Sequence, residues 1–213
     1  MSESSGETTL PPATRTEARP ATPSPAGSAS GAAGAAAPGD ASSQPAAPPS
    51  IERLGVGTGF IPLIEKVLRE STLLAQFTPE DLQRFSAFLQ IYRVGIGVPF
   101  IIEGDPGDFM VLVLEGFVEV FKKGVDGNRS LVGVAPPGKT LGEMSLIDGE
   151  PRFATCIAAT TVTFAALPRK GLERIMKDHP QLGQKILLQL VLLLNQRLRH
   201  VSAQLLQVWQ QQT

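Results

Sequence analysis

Short apolar runs separated by glycine-rich turns occupy the middle of the chain. From about residue 91 the runs PFII, FMVLVL, FVEVFKK and SLVGVA alternate with turns such as EGDPGD and GVDGN. Runs of this length rich in valine, isoleucine and phenylalanine are typical of antiparallel strands. The pattern continues through PRFATCIAATTVTFAAL, and it predicts a small β-barrel or jelly roll rather than a parallel α/β sheet.

Helices are predicted on both sides of these strands. Pro62 suits the first turn of a helix in GFIPLIEKVLRE, and the segment TPED at 78–81 provides a cap, a proline and two acids at the start of a helix in DLQRFSAFLQIYR. After Pro168, KGLERIMKDH predicts a short helix that ends before Pro180. Residues 181–211 contain no proline and predict one long final helix.

The final helix carries a heptad pattern. Over its first half Ile186, Leu190 and Leu193 widen the apolar face, so packing on the protein's own barrel and packing on another helix both remain open. Beyond Leu198 the apolar face narrows to the heptad positions alone, here called the seam. This narrow stripe predicts a two-stranded contact with a second copy of the chain. The seam, with spacings that alternate between four and three, consists of Leu187, Val191, Leu194, Leu198, Val201, Leu205 and Val208.

Composition separates residues 1–50 from the rest. They hold 13 Ala, 9 Pro, 9 Ser, 5 Gly and 5 Thr, a composition that cannot bury enough apolar surface to offset the entropy of ordering. We expect a disordered tail at 1–50 and one folded domain at 51–213. The start of the chain lacks the apolar stretch of a secretory signal, and the most apolar run, 186–194, is too short for a membrane span. These features predict a cytoplasmic protein without membrane contact.

Charge and residue counts narrow the classes of function. The 19 Lys and Arg against 20 Asp and Glu give a net charge of −1, which excludes a polybasic protein that attracts nucleic acid or acidic membranes. One cysteine, Cys156, excludes an intramolecular disulfide framework and a cysteine zinc site. The two histidines, His179 and His200, are too few for a multi-histidine metal cage. We expect no metal and no cofactor, and the absence of a visible catalytic set predicts that the protein is not an enzyme.

Two neighbouring segments are candidate phosphate sites. GVAPPGKT at 133–140 has the spacing of a nucleotide-binding P-loop, but Gly149 and Pro151 end any following helix after one or two turns, where a P-loop requires a full βαβ unit. The cassette LGEMSLIDGEPRFAT at 141–155 suits a phosphate better. Gly142 allows close backbone approach at the start of a helical turn, Arg152 supplies a guanidinium fork, and Glu143 accepts hydrogen bonds from a sugar hydroxyl. This set fits a nucleoside monophosphate.

From about Leu74 to Val201 the chain resembles the cyclic-nucleotide-binding domain family, which includes catabolite activator proteins, kinase regulatory subunits and gated channels. The resemblance is carried by FIIEGDPGD, VLVLEGFVEVF, the APPG turn and the pattern Gly142-Glu143…Leu146…Pro151-Arg152-x-Ala154-Thr155. It implies a mainly β fold with flanking helices: a β jelly roll (double-stranded β-helix) with a long C-terminal dimerisation helix. The implied ligand is a cyclic nucleotide.

The resemblance also implies roles for residues of the cassette. Glu143 would bind the ribose 2′-hydroxyl and Arg152 the cyclic phosphate, and amides around Gly142, Phe153 and Ala154 would complete the anion site together with Thr155. The base would lie under the final helix near Val201 and Ser202. Phe153 stands where members of the family commonly carry a small residue, or Thr or Ser when they prefer guanine. It offers no hydroxyl to guanine, which argues against cGMP.

We therefore expect a homodimeric cAMP sensor that acts through an unknown effector protein. Catabolite activators continue into a helix-turn-helix domain, whereas this chain ends at Thr213, so direct DNA binding is not expected. One alternative is a non-sensing dimeric scaffold with a degenerate nucleotide-binding barrel. The other is a P-loop NTPase that uses GVAPPGKT.

Overall fold

The computed structural model describes residues 51–70 and 77–211, and the predicted tail at 1–50 lies outside them. Within this part of the chain, antiparallel strands form two sheets with helices beside them. In spatial order the first sheet consists of β1 (Ile51–Val56), β2 (Gln90–Val94), β9 (Val162–Pro168), β4 (Phe109–Glu115) and β7 (Thr140–Leu141). The second consists of β3 (Pro99–Ile101), β8 (Thr155–Ala158), β5 (Val118–Lys123) and β6 (Arg129–Ala135). Antiparallel sheets with flanking helices are confirmed.

An aromatic stack joins the two sheets. The ring centroids of Tyr92 and Phe164 lie 5.5 Å apart, and those of Phe164 and Phe100 lie 4.9 Å apart. Tyr92 and Phe164 belong to the first sheet and are directly paired, whereas Phe100 belongs to the second. Val113 pairs with Phe164 and therefore lies on the same face of the first sheet. This face forms the interior between the sheets.

The opposite face of the first sheet packs on helices. Because β4 is buried on both faces, its run of apolar residues is continuous rather than alternating. The helices are α1 (Ile61–Glu70), α2 (Pro79–Ser86), α3 (Glu143–Asp148), α4 (Arg169–Asp178) and α5 (Pro180–Gln211). Their shared core with this face includes Met110, Leu112 and Leu114 of β4 together with Ile64, Phe85, Ile175, Leu182, Ile186 and Leu190.

Two details of the predicted elements are wrong. The helix that begins with the capping box of Thr78 and Asp81 ends at Ser86, and the residues Gln90–Val94 form β2 instead of continuing it. Pairing with β1 on one side and β9 on the other determines this strand, and such pairing overrides local helix propensity. β1 itself was not predicted, because its segment alternates weakly.

The long final helix is confirmed as α5, and it has two different faces. Leu182, Ile186 and Leu190 are buried in the core, so the first half of α5 packs on the chain's own sheets and helices. The seam residues Val191, Leu198, Val201, Leu205 and Val208 are between 48% and 65% exposed in the single chain. Among the described residues, no helix combines the length and apolar character that a bilayer span requires.

Candidate functional site

The cassette runs from the end of β7 to the start of β8 and buries two of its charged residues, Glu143 and Arg152. Gly142 has φ 76°, a left-handed conformation that favours glycine, and it begins the six-residue helix α3. This turn places Glu143 at 1% exposure and Leu146 at 2% exposure in the interior. The predicted single helical turn after Gly142 is confirmed.

The Glu143 carboxylate is buried and only half satisfied. Its Oε1 accepts a hydrogen bond from Nη1 of Arg197, a residue of α5. Its Oε2 has no hydrogen-bond partner among the residues that the structure describes. Burial raises the pKa of Glu143, although the charges of Arg197 and Arg152 and its own backbone amide oppose that rise. A buried carboxylate oxygen therefore remains free to accept a hydrogen bond.

Arg152 is 4% exposed and is held by backbone oxygens. Its Nη1 donates to the carbonyl oxygen of Phe109 at 2.7 Å and to that of Gly142 at 3.1 Å. Its Cζ lies 4.3 Å from the centroid of the Phe109 ring, a cation–π contact. Its Nη2 is buried and has no hydrogen-bond partner within the described ranges. Burial lowers the pKa of Arg152, and the negative charges of Asp108 and Glu143 oppose that effect.

Two glycines make room for this guanidinium. A Cβ at Gly107 would lie 2.5 Å from Nε of Arg152 and 2.7 Å from its Cζ. A Cβ at Gly142 would lie 2.4 Å from Nη1. Gly107 belongs to the EGDPGD turn, none of whose residues was predicted to take part in the site. The turn also anchors the backbone of Arg152, since the amide of Arg152 donates to the carbonyl oxygen of Asp105 at 2.8 Å.

The side chains of Glu143 and Arg152 line a pocket of about 100 Å³. Glu143, Arg152 and Arg197 are its charged lining, and Ile101, Val120 and Cys156 are part of its apolar lining. Cys156 is 3% exposed, and burial raises the pKa of its thiol to about 12. The prediction that Cys156 is a small buried packing residue of a strand is confirmed.

The structure brings together most, but not all, of the predicted site residues. Gly142, Phe153 and Ala154 line the pocket beside Glu143 and Arg152. Thr155 is buried, and its hydroxyl accepts a hydrogen bond from the amide of Glu103 at 3.1 Å. Ser202 is exposed on α5 and does not belong to the pocket lining of the single chain. Its role at the base stays a prediction.

Phe153 lies at the rim of the pocket and is 57% exposed. Lys122 places its ammonium 4.3 Å from the ring centroid and donates to the backbone oxygen of Phe153 at 2.7 Å. The same ammonium pairs with the carboxylate of Glu103 at 2.7 Å. Lys122 thus holds the aromatic ring of Phe153 at the rim of the pocket.

Besides Gly107, Arg197 is a site residue that the sequence did not predict. It follows Leu190 by seven residues, so it lies on the face of α5 that packs on the core. A charged residue in register with a buried apolar stripe is the signal that could have identified it.

The GVAPPGKT segment lacks the context of a P-loop. It spans the end of β6, a turn and the start of β7, and the helix that follows has six residues within an antiparallel arrangement. Lys139 is exposed and is not part of the pocket lining. No group of three or more His, Cys, Asp or Glu that could hold a metal ion occurs in the described ranges.

Solved structures with a similar fold identify the family. A cyclic nucleotide-binding domain from Methylobacillus flagellatus KT aligns with 73% of this chain and 88% of its own, with a TM-score of 0.68 and 31% sequence identity. The chain belongs to the cyclic nucleotide-binding domain family. A family profile described as "Cyclic nucleotide-binding domain" matches residues 97–179, which run from the residues before β3 to the end of α4. The match includes the whole cassette and Gly107.

Curated relatives of this cyclic nucleotide-binding domain include longer proteins. A cAMP-dependent protein kinase regulatory subunit from Aspergillus niger is 34% identical over 54% of this chain and 27% of its own length. A cyclic AMP receptor protein from Thermus thermophilus is 28% identical over 65% of this chain and 62% of its own length. The chain thus spans about a quarter of the kinase regulatory subunit and less than two thirds of the receptor protein.

Proposed function

We propose that the protein is a cyclic-nucleotide sensor whose ligand is cAMP. One observation carries this proposal: a buried donor, Nη2 of Arg152, and a buried acceptor, Oε2 of Glu143, lack protein partners within the described residues and belong to side chains that line one pocket. Unsatisfied buried polar atoms are costly, and a ligand that satisfies both recovers that cost. A phosphate oxygen suits the donor and a sugar hydroxyl suits the acceptor.

In this arrangement Arg152 binds the cyclic phosphate and Glu143 binds the ribose 2′-hydroxyl. Backbone amides around Gly142, Phe153 and Ala154 complete the anion site. Relatives named as a cAMP-dependent kinase subunit and a cyclic AMP receptor protein favour cAMP as the ligand. Phe153 offers no hydroxyl to guanine, which is consistent with a preference for adenine.

The proposed output passes through protein contacts rather than catalysis. The two sheets would form the jelly roll of a non-enzymatic receptor in the cytoplasm, with residues 1–50 as a separate tail and 51–213 as the receptor domain. The exposed apolar seam of α5 supports a homodimer in which the helices pair. A nucleotide that settles under α5 would then change the dimer and, through it, an effector protein.

Isothermal titration calorimetry with cAMP, cGMP, cyclic di-GMP and ATP with Mg²⁺ tests this function. We expect cAMP to bind most tightly. Arg152→Ala should weaken cAMP binding roughly 30-fold or more, because it removes a buried, hydrogen-bonded partner of the phosphate charge. Lys139→Ala is the matched control, since it removes an exposed cation of the GVAPPGKT segment, and it should leave the affinity nearly unchanged.

The opposite result, in which Lys139→Ala abolishes binding and Arg152→Ala does not, would contradict the assignment of Arg152 to the phosphate and favour ATP.

A non-sensing dimeric scaffold is the second candidate, and the small volume of the pocket, about 100 Å³, favours it. A wild-type protein that forms dimers but shows no heat with any of the four nucleotides would establish the scaffold instead.

A further inference from the structure

Lys122, in β5, binds the backbone of the cassette from outside the pocket. Its Nζ donates to the carbonyl oxygen of Phe153 at 2.7 Å and lies 4.3 Å from the centroid of the Phe153 ring. Phe153 lines the pocket, whereas Lys122 is not part of the pocket lining. The ammonium therefore holds both the main chain and the side chain of a residue at the candidate site.

Glu103 fixes Lys122 in turn. Nζ of Lys122 donates to Oε1 of Glu103 at 2.7 Å, and the amide of Lys123 donates to Oε2 at 2.9 Å. These hydrogen bonds, that of Lys122 foremost, hold the pKa of Glu103 below its ordinary value and so favour the charged carboxylate. The side chains of Lys122 and Glu103 are 34% and 23% exposed. Lys122 is thus a positioned donor rather than a freely moving surface lysine.

Two consecutive peptide groups of the cassette have their oxygen atoms held. The carbonyl oxygen of Arg152 accepts a hydrogen bond from the amide of Gly104 at 2.9 Å, and that of Phe153 accepts from Lys122. The amide nitrogens of these two peptide groups belong to Phe153 and Ala154. Neither nitrogen donates a hydrogen bond to another described residue. Backbone amides without a partner are uncommon in folded proteins, so these two are available to a ligand.

Peptide geometry sets the direction of the two free amides. The peptide bonds of the described residues are trans, and in a trans peptide the N–H points opposite to the C=O. The amide of Ala154 is therefore turned away from Lys122, and the amide of Phe153 is turned away from Gly104. Both Phe153 and Ala154 line the pocket, and successive backbone amides attract anions.

Resting on the proposed function, we propose that Lys122 is a positioning residue of the phosphate site. By holding the carbonyl oxygen of Phe153, it fixes the peptide group that carries the Ala154 amide and keeps this amide directed at a phosphate oxygen. Lys122 does not touch the ligand. It acts through the backbone, with Glu103 holding its ammonium, whereas Arg152 binds the phosphate directly.

Calorimetry with cAMP tests the role of Lys122. Lys122→Met removes the ammonium but keeps the unbranched stem, so binding should weaken by roughly three- to tenfold. Lys122→Arg keeps a donor and a cation for the Phe153 ring, and it should restore the affinity to within about twofold of wild type. Lys123→Met is the matched control, because it removes the same charge from the next, exposed residue of β5 and should bind as wild type does. Equal affinity of Lys122→Met and wild type would overturn the proposal.

Sulfur analogues of cAMP separate positioning from a general change in the pocket. In each of two diastereomers, sulfur, a weak hydrogen-bond acceptor, replaces one of the exocyclic phosphate oxygens. The loss caused by Lys122→Met should persist for the diastereomer that keeps the amide-bound oxygen and fall below about twofold for the other. An equal loss for cAMP and both diastereomers would show a structural effect alone and would overturn the proposal.

Inorganic phosphate tests the same amides without a nucleotide. In NMR titrations of the isotope-labelled wild type, the amide resonances of Phe153 and Ala154 should shift as phosphate is added. Lys122→Met should raise the apparent dissociation constant by roughly threefold or more. Wild-type amides that respond neither to phosphate nor to cAMP would overturn the proposal. A protein that shows the phosphate response but binds none of the four nucleotides would refute the sensor and support the role of Lys122 at an anion site.

Discussion

At the scale of single residues, the protein holds the Arg152 guanidinium in place but leaves its Nη2 without a hydrogen-bond partner among the described residues. Two backbone oxygens and the Phe109 ring fix the guanidinium before any ligand arrives. A pre-positioned side chain loses little conformational entropy on binding, so more of each contact appears as affinity. The residues that fix Arg152 therefore matter to binding as much as those that touch the ligand.

Gly107→Ala should weaken cAMP binding by about tenfold or more while the protein stays folded. The added Cβ would lie 2.5 Å from Nε of Arg152, so the side chain that must move is the one proposed to bind the phosphate. Calorimetry measures the affinity, and urea unfolding checks the fold. Gly133→Ala is the matched control, because a Cβ there meets nothing within 4 Å. Equal affinity of Gly107→Ala and wild type would mean that the guanidinium has a second productive position.

At the scale of elements, a partly buried ion pair fastens α2 to α5. Nζ of Lys185 lies 2.5 Å from Oδ2 of Asp81, whose carboxylate also accepts from the Thr78 amide in a capping box. Burial alone would raise the pKa of Asp81, but the hydrogen bond from Lys185 and those from Thr78 outweigh it and lower the pKa. The first half of α5 is thus tied to the helix layer independently of the cassette.

Lys185→Met should lower the free energy of unfolding by about 1 kcal/mol at pH 7. Because the folded-state pKa of Asp81 is depressed, the stabilisation exists above its unfolded value of 3.8 and is lost as the pH falls through the folded value. The difference between variant and wild type should therefore shrink as the pH approaches 3. Urea unfolding at several pH values measures it, with the exposed Lys177→Met as control. A difference that stays constant with pH would show that Asp81 is not the partner.

Sequence patterns predicted the elements whose signals are local. Turn glycines bounded the strands, the capping box marked α2, and the absence of proline from 181 to 211 predicted α5. The strand β2 was missed because its partners β1 and β9 lie far away in sequence. Distance along the chain also explains which residues of the candidate site were predicted. Glu143 and Arg152 belong to one contiguous cassette, whereas Gly107 and Arg197 reach it only through the fold.

At the scale of the whole molecule, the distal part of α5 presents apolar side chains that the single chain leaves uncovered. Leu198 is 65% exposed and Leu205 is 54% exposed, both on the heptad seam. A seam of this kind is covered when two helices pair, and the pairing would join the two pockets through Arg197 and the helix that carries it. Dimerisation and ligand response would then depend on the same element.

Leu198→Glu should shift the protein from dimer to monomer, because a charge in a packed seam is desolvated and unpaired. Sedimentation velocity with and without cAMP measures the assembly. Gln196→Glu adds the same charge two residues earlier, off the seam, and it should leave the dimer intact. A wild-type protein that sediments as a monomer in both conditions would refute the α5 dimer.

The two glycines around Arg152 have a consequence for how a receptor of the proposed kind can change over generations. Under the proposed function, a duplicated gene would weaken its ligand response through a single methyl group at position 107 or 142, since either Cβ would overlap the Arg152 guanidinium. The arginine and the glutamate would still be present in such a copy, and its sheets would still fold. Copies of the proposed receptor that no longer respond to ligand would therefore still carry Arg152 and Glu143. They would first differ from the parent at Gly107 or Gly142.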